Sequence, residues 1–343
     1  MKTRSLCFAL LPALALAANA AGPVDPYMGD WQGTVRIGEK SKPVAVYMIP
    51  YGNGWYEAKI VSEFNKRAPS LFHLRGTIRN DIARLLDRIP FEPAYVLGTS
   101  DRGVVVNAAF WEGKAADQCL EGKISGRIQG TFTLRQTRRV SPTLGQKPPK
   151  GAVVLFDGTN LDAWQQADKP GRPAKWKLVP GGAMEVRGGN IATRRKFRDF
   201  FLHVEFRTPY MPQARGQGRG NSGVYLLGRY EVQVLDSYGL EGEDNECGGI
   251  YHMAKPLVNM CLPPLQWQTY DITFTAPRFN AAGKKIANAR VTIAHNGVLI
   301  HKKVELSAPT GGALDNKEAL PGPIMLQDHG NPVQYRNIWI IEK

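Results

Sequence analysis

The segment NSGVYLLGRYEVQVLDSYG, residues 221–239, gathers side chains suited to chemistry. Val224 and Leu226, then Val232 and Val234, alternate with Asn221, Tyr225, Glu231 and Gln233. That period of two predicts two strands split by a short Gly-Arg turn, with one apolar and one polar face. A solvated strand face usually carries Lys, Thr or Ser. A carboxylate, two amides and a phenol suit a hydroxyl-rich ligand instead, because carboxylates and amides bond neighbouring hydroxyls in pairs and an aromatic ring offers a platform. Glu231 could also take a proton or attack carbon. Asp236 closes the segment five residues after Glu231. In a regular strand the two would face opposite ways, so both line one site only across a bulge or if Asp236 has left the strand.

The elements that must hold these groups are strands. From residue 151 onward about eleven short β-branched or aromatic runs follow one another with no convincing long helix, which predicts a β-sandwich. In FFLHVEFRT, Leu202, Val204 and Phe206 read as core, while His203, Glu205 and Arg207 face away. In IMLQDH, Met325, Gln327 and His329 share a face. If these strands are neighbours, their polar faces form one curved floor that suits a sugar. Imidazole is the side chain suited to proton transfer at neutral pH, which makes His329 a second candidate base. Arg207 is placed to hold Glu231 charged, and Asn221, Tyr225, Gln233 and Gln327 to orient hydroxyls. Asp328 reads as a turn residue, and His252 as a weaker candidate. The loop PYMPQARGQGRGNSG has two readings: Arg215 and Arg219 border the cleft and meet an acidic or hydroxyl-rich substrate, or the loop is flexible and solvated.

Residues 25–137 read as a small β-rich accessory domain, with a hairpin turn in YGNGWY and one weak helical signal in RNDIARLLDRI. Residues 138–150 are rich in Pro, Gly and Ser and read as a linker. Hydrophobic content of 43% and charged content of 22% are those of a globular chain of 343 residues. Residues 1–21 read as a secretory signal peptide, with Lys2 and Arg4, an apolar run from Leu6 to about Ala18, and an Ala-Asn-Ala step. That run is short for a membrane span and no later segment is long enough, so the expected location is periplasmic or extracellular. Lys plus Arg number 44 against 30 Asp plus Glu; without Lys2 and Arg4 the balance is 42 against 30, or +12. The basic residues are scattered and no nucleic-acid module is evident, which leaves acidic glycans, an anionic envelope or plain solvation. Of four cysteines, Cys119, Cys247 and Cys261 lie beyond the signal. Cys247 and Cys261 are expected to pair, closing a loop worth roughly 3 kcal/mol; three buried thiols are the alternative.

The motifs VVLFDGTNLDAWQ, DFFLHVEFRTP, GRGNSGVYLLGRYEVQVLDSYG, GGIYHMAKPLVN and GPIMLQDHGNPVQYRNIWI resemble, in order over residues 151–343, the 3-keto-disaccharide hydrolase domain family, in a subgroup with an N-terminal β extension. The resemblance implies a concanavalin-like jelly roll acting on glycosides whose sugar carries a ketone at C3. It implies proton abstraction at C2, elimination of the C1 aglycone and rehydration, with Glu231 or His329 as base and Arg207 able to stabilise an enolate. It also implies an upstream oxidoreductase that makes the ketone, and it leaves room for a divalent metal. Two rivals remain. A retaining glycosidase would use Glu231 and Asp236, although Gln233 stands where such enzymes carry a middle acid. A carbohydrate-binding protein would have the same face and no turnover.

Overall fold

The computed structural model describes residues 24–87 and 108–343; the signal-peptide reading of residues 1–21 lies outside them. The first unit comprises β1 (Gly29–Ile37), β2 (Lys40–Gly52), β3 (Trp55–Val61), β4 (Phe72–Arg79), β5 (Ile82–Asp87), β6 (Ala109–Ala116), β7 (Cys119–Gly126) and β8 (Gly130–Thr137). Each pairs with the next and β8 returns to β1, closing a barrel. Asn53 and Gly54 join β2 to β3, both at positive φ, as an Asn-Gly turn of the mirror-image type requires. Val44, Val46 and Met48 fill the barrel with Trp31, Trp111 and Phe132. The helical signal in RNDIARLLDRI is corrected: Asn80 and Asp81 make a positive-φ turn, and residues 82–87 pair as β5 with β4 and β6.

The second unit is a two-layer sandwich. Its strands are β9 (Val153–Phe156), β10 (Trp164–Gln166), β11 (Lys177–Val179), β12 (Ala183–Glu185), β13 (Ile191–Thr193), β14 (Phe200–Arg207), β15 (Ser222–Leu226), β16 (Tyr230–Val234), β17 (Gln268–Thr275), β18 (Arg278–Phe279), β19 (Lys285–Ala287), β20 (Ala289–His295), β21 (Val298–Leu306), β22 (Met325–Leu326) and β23 (Gln334–Glu342). One sheet runs β10-β13-β22-β15-β16; the other runs β11-β12-β23-β14-β17-β20-β21, with β9 beside β23. Val224, Leu226, Val232 and Val234 of the first sheet and Leu202, Val204, Phe206, Ile272 and Phe274 of the second are buried in one core. This is the β-sandwich that the strand spacing predicts, consistent with the jelly roll that the family resemblance implies. No helix among the described residues is long and apolar enough to cross a membrane.

Residues 138–150 are no free tether. They lie as a strap on the outer face of the larger sheet. Ser141 Oγ meets Thr269 Oγ1 at 2.6 Å, Thr143 Oγ1 donates to Asp271 at 2.7 Å, and the Gly145 N–H donates to Glu205 at 2.5 Å. His203 bonds Asp271 through Nδ1 at 2.6 Å. Burial would raise the Glu205 carboxyl, but His203, Asn337, the Gly145 N–H and Arg336 together hold it at about 2. The polar face of β14 is therefore a sealed structural network. It is not part of the open floor expected for it.

The barrel is joined to the sandwich by packing and by charge. Ala45, Tyr47 and Ile49 point out of the barrel, because their neighbours point in, and they share the sandwich core with Tyr238, Val258 and Met260. Gly239 permits this approach, since a Cβ there would lie 2.4 Å from Ile49. Arg139 grips the buried Asp30 with two bonds of 2.8 and 3.1 Å, and the Tyr238 hydroxyl donates to the same carboxylate at 2.8 Å. Arg67 caps the carbonyls of Gly242 and Pro256. Removing one partner of a buried ion pair strands the other, so Asp30→Ala is expected to cost about 3–5 kcal/mol. Barrel and sandwich should unfold together in a urea titration followed by near-UV circular dichroism. Two separated transitions, or a loss below about 1 kcal/mol, would contradict this coupling.

Candidate active site

The outward face of the smaller sheet carries the candidate residues. Cross-strand register pairs Tyr225 with Glu231 and Gly223 with Gln233, so all four positions share one face. Ala192, Tyr225 and Met325 form a small apolar floor there, with Ala167 packed against it. Glu231 leans over Gly223, where a Cβ would come within 2.3 Å of the carboxylate and 2.9 Å of the Tyr225 ring. A glycine is needed at that point for space.

Around the carboxyl group the bonds are polar and, among the described residues, none comes from a cation. The Tyr225 hydroxyl lies beside Glu231, its cross-strand partner, and draws the carboxyl's proton affinity down. It also meets the Gly311 carbonyl at 2.9 Å and accepts from Gln327 Nε2 at 3.1 Å. The Glu231 N–H donates to Thr310 Oγ1 at 2.9 Å. With Glu231 only 2% exposed, burial pushes its carboxyl up to about 8, against the opposing pull of Tyr225. Beside it, Gln233 Nε2 donates to Gln217 Oε1 at 3.1 Å and Asn221 Oδ1 at 3.2 Å. Asn221 Nδ2 donates to the Gln217 carbonyl at 2.7 Å. Gln233 Oε1 and Gln327 Oε1 are buried with no donor among the described residues. Two unpaired acceptors on one polar face are a place for hydroxyl donors.

The segment GGIYH completes the edge. The Gln233 N–H donates to the Gly249 carbonyl, the Gly248 N–H donates to the Gln233 carbonyl, and Val232 bridges Ile250. This sets Tyr251 at the rim, against Gly311. Gln217 and Tyr251 carry no signal in the sequence, since a loop glutamine and a loop tyrosine acquire these positions only from the fold. The motif GRG before β15 was the one hint, and it pointed to the arginines instead.

Other expected site residues fall elsewhere. Arg207 is not beside Glu231: β14 belongs to the other sheet, and Arg207 bonds Gln334 at 2.8 Å and stacks on Trp267. Asp236 has left β16 and is buried in an ion pair with Arg219 at 2.6 Å, so it is committed to structure. Asp328 staples its turn by accepting from the N–H groups of Gly189 and Gly330. His329 is exposed on the loop two residues after Gln327. His252 is exposed near Asp244. Cys247 and Cys261 are buried neighbours, but both are free thiols, and Cys247 also bonds the Tyr270 hydroxyl; the expected bridge is absent. Among the described residues no group of three or more His, Cys, Asp or Glu side chains could hold a metal ion. One carboxylate among amides and a phenol does not fit a divalent site.

Comparisons with known proteins concern the sandwich domain that carries this face. The model of a 3-keto-alpha-glucoside-1,2-lyase-like domain matches residues 151–341. A solved structure described as a "putative glycosyl hydrolase" from Parabacteroides distasonis is 39% identical, over 57% of this chain and 86% of that one, with a TM-score of 0.53. A second of the same description and organism is 18% identical, over 57% and 94%, with a TM-score of 0.42. No curated protein matches.

The raised carboxyl has a stability consequence. An unfolded Glu231 ionises near 4.5, whereas the folded one holds its proton to about 8. Its stabilising share is complete below the lower value and is lost as pH rises through the upper one, a loss on the order of 5 kcal/mol. Glu231→Gln mimics the neutral form. It should melt with the parent at pH 4 and well above it at pH 9. Parallel melting curves across that range would refute the burial of an unpaired carboxyl.

Proposed function

The chain belongs to the 3-keto-alpha-glucoside-1,2-lyase-like family, and from that premise we propose that its sandwich cleaves glycosides bearing a ketone at C3, with Glu231 as the base. The enzyme is carbohydrate-active, of hydrolase or lyase type. The observation that carries the finer reading is a lone buried carboxyl, raised to about 8, on a face with two unpaired amide oxygens. A base poised near neutrality is what abstraction of a moderately acidic proton needs.

The ketone at C3 acidifies the C2 proton. Glu231 takes that proton, and the electron pair moves on to the C3 oxygen as an enolate. The Gln327 amide, which gives one N–H to the Tyr225 hydroxyl, has a second that can meet that charge. The enolate collapses, the C1–O bond breaks, and the aglycone oxygen takes a proton from His329. Water adding to the resulting double bond at C1 makes the net reaction a hydrolysis; release before addition makes it a lyase. No glycosyl-enzyme bond forms. The substrate implies an oxidoreductase acting earlier to install the ketone. We place the protein outside the cytoplasm on the strength of residues 1–21.

The test is turnover of a matched pair, a glucoside and its 3-keto derivative, in D₂O by NMR. Cleavage of the keto form alone, with deuterium entering at C2, is expected. In the parent enzyme kcat/KM should climb with pH and level off above about 8. Glu231→Gln should lose roughly 10²–10⁴-fold in rate while keeping binding. His329→Ala should harm alkyl aglycones and spare nitrophenyl ones, which need no acid. Cleavage of the plain glucoside, or binding without any turnover, would overturn the reading.

A further inference from the structure

The barrel reaches the candidate active site through one loop. Along β2, β3 and β4, alternate residues point away from the barrel core, and Tyr51, Trp55, Glu57, His73 and Arg75 share that outward face. The loop that precedes β15 lies on it. A Cβ at Gly52 would meet Gln213 at 3.0 Å, and the Arg215 guanidinium sits 3.9 Å from the centre of the Tyr51 ring. Arg75 approaches the same ring at 4.7 Å. Two residues beyond Arg215, Gln217 bonds Gln233 and Asn221 on the face that holds Glu231.

Charge in this cluster is unbalanced. Glu57 is its buried carboxylate, and it is taken by His73 at 2.5 Å and by the Tyr51 hydroxyl. Arg75 comes only within 3.9 Å of it. Arg215 uses one nitrogen on the carbonyls of Pro212 and Ala214, and its others bond no group among the described residues. Two guanidinium forks therefore converge on one ring with most of their N–H groups unspent. Trp55 stands beside them at 47% exposure. A fork that fits a carboxylate, next to an exposed indole that fits a sugar ring, is a recognition surface for an acidic saccharide.

We infer that Tyr51, Trp55, Arg75 and Arg215 form an aglycone subsite for a carboxylated sugar or aryl group, which makes the barrel part of the substrate site. This rests on the proposed cleavage of 3-keto-glycosides at Glu231. Arg75 and Arg215 act on affinity and specificity and touch no reacting atom.

The probes are 4-carboxyphenyl and 4-methylphenyl 3-keto-α-glucosides. The parent enzyme should show a KM about tenfold lower for the carboxylated one, as a charged hydrogen bond supplies, and added salt should erode the difference. In Arg75→Ala/Arg215→Ala the preference should vanish, the KM of the carboxylated substrate rising to that of the neutral one. Arg75→Lys/Arg215→Lys should restore part of it. Equal KM values in the parent, or a preference that survives in the alanine pair, would overturn the subsite. If neither keto-glycoside is cleaved, the reading of Glu231 fails first. The unoxidised 4-carboxyphenyl glucoside, titrated by Trp fluorescence against the same variants, then decides the subsite alone: saturable binding lost with the two arginines supports it, and no binding ends it.

Discussion

Holding a carboxyl group out of water with no cation beside it is unfavourable, and the smaller sheet is built so that Glu231 has nowhere else to go. Val232 and Val234 are locked in the sandwich core. A slip of one residue would send Glu231 and Gln233 into that core and bring the valines out, so register is fixed by apolar burial. Period two then places Glu231 on the outer face, Gly223 leaves it room, and Tyr225 offers it a hydroxyl. The high proton affinity of the group is a consequence of packing that the valines impose.

The same core constrains the rest of the molecule. The larger sheet also has a polar outer face, with His203, Glu205 and Asp271, but the strap from the barrel covers it. That strap can lie there because Arg139 and Asp30 tie its start to the barrel wall, where Arg139 also stacks on Phe64. Two candidate polar floors thus become one. The family match begins at residue 151, beyond the barrel and strap, yet these elements decide which face of the matched domain stays available.

Much of this was readable from local pattern. Period two gave the strands and the two faces of β15 and β16, and the Asn53-Gly54 turn followed from its chemistry. What local pattern does not carry is the sheet a strand joins. β14 alternates as cleanly as β15, but it enters the other layer, so Arg207 lies on Trp267 and not on Glu231. The run RNDIARLLDRI has helix-forming Ala, Arg and Leu, and pairing on both sides overrode that preference in residues 82–87. The Pro- and Gly-rich strap looked like a tether because its bonds run through backbone and short hydroxyls, which composition does not distinguish from solvation.

Glu231 and Asp236 show how far environment outweighs spacing. Both are buried acids at the end of one hairpin. Asp236 has Arg219 at 2.6 Å and the Tyr238 N–H at 3.4 Å. Glu231 has a phenol and no cation, and burial raises its carboxyl to about 8; burial raises Asp236 as well, but there the Arg219 guanidinium pulls against it. A retaining glycosidase needs two carboxyls about 5 Å apart, one a nucleophile and one an acid, both free to act. An acid locked to an arginine serves neither role well. A site with one mobile proton on Glu231 and neutral amides around it suits a reaction in which a single base acts on carbon and the substrate's own carbonyl stores the charge.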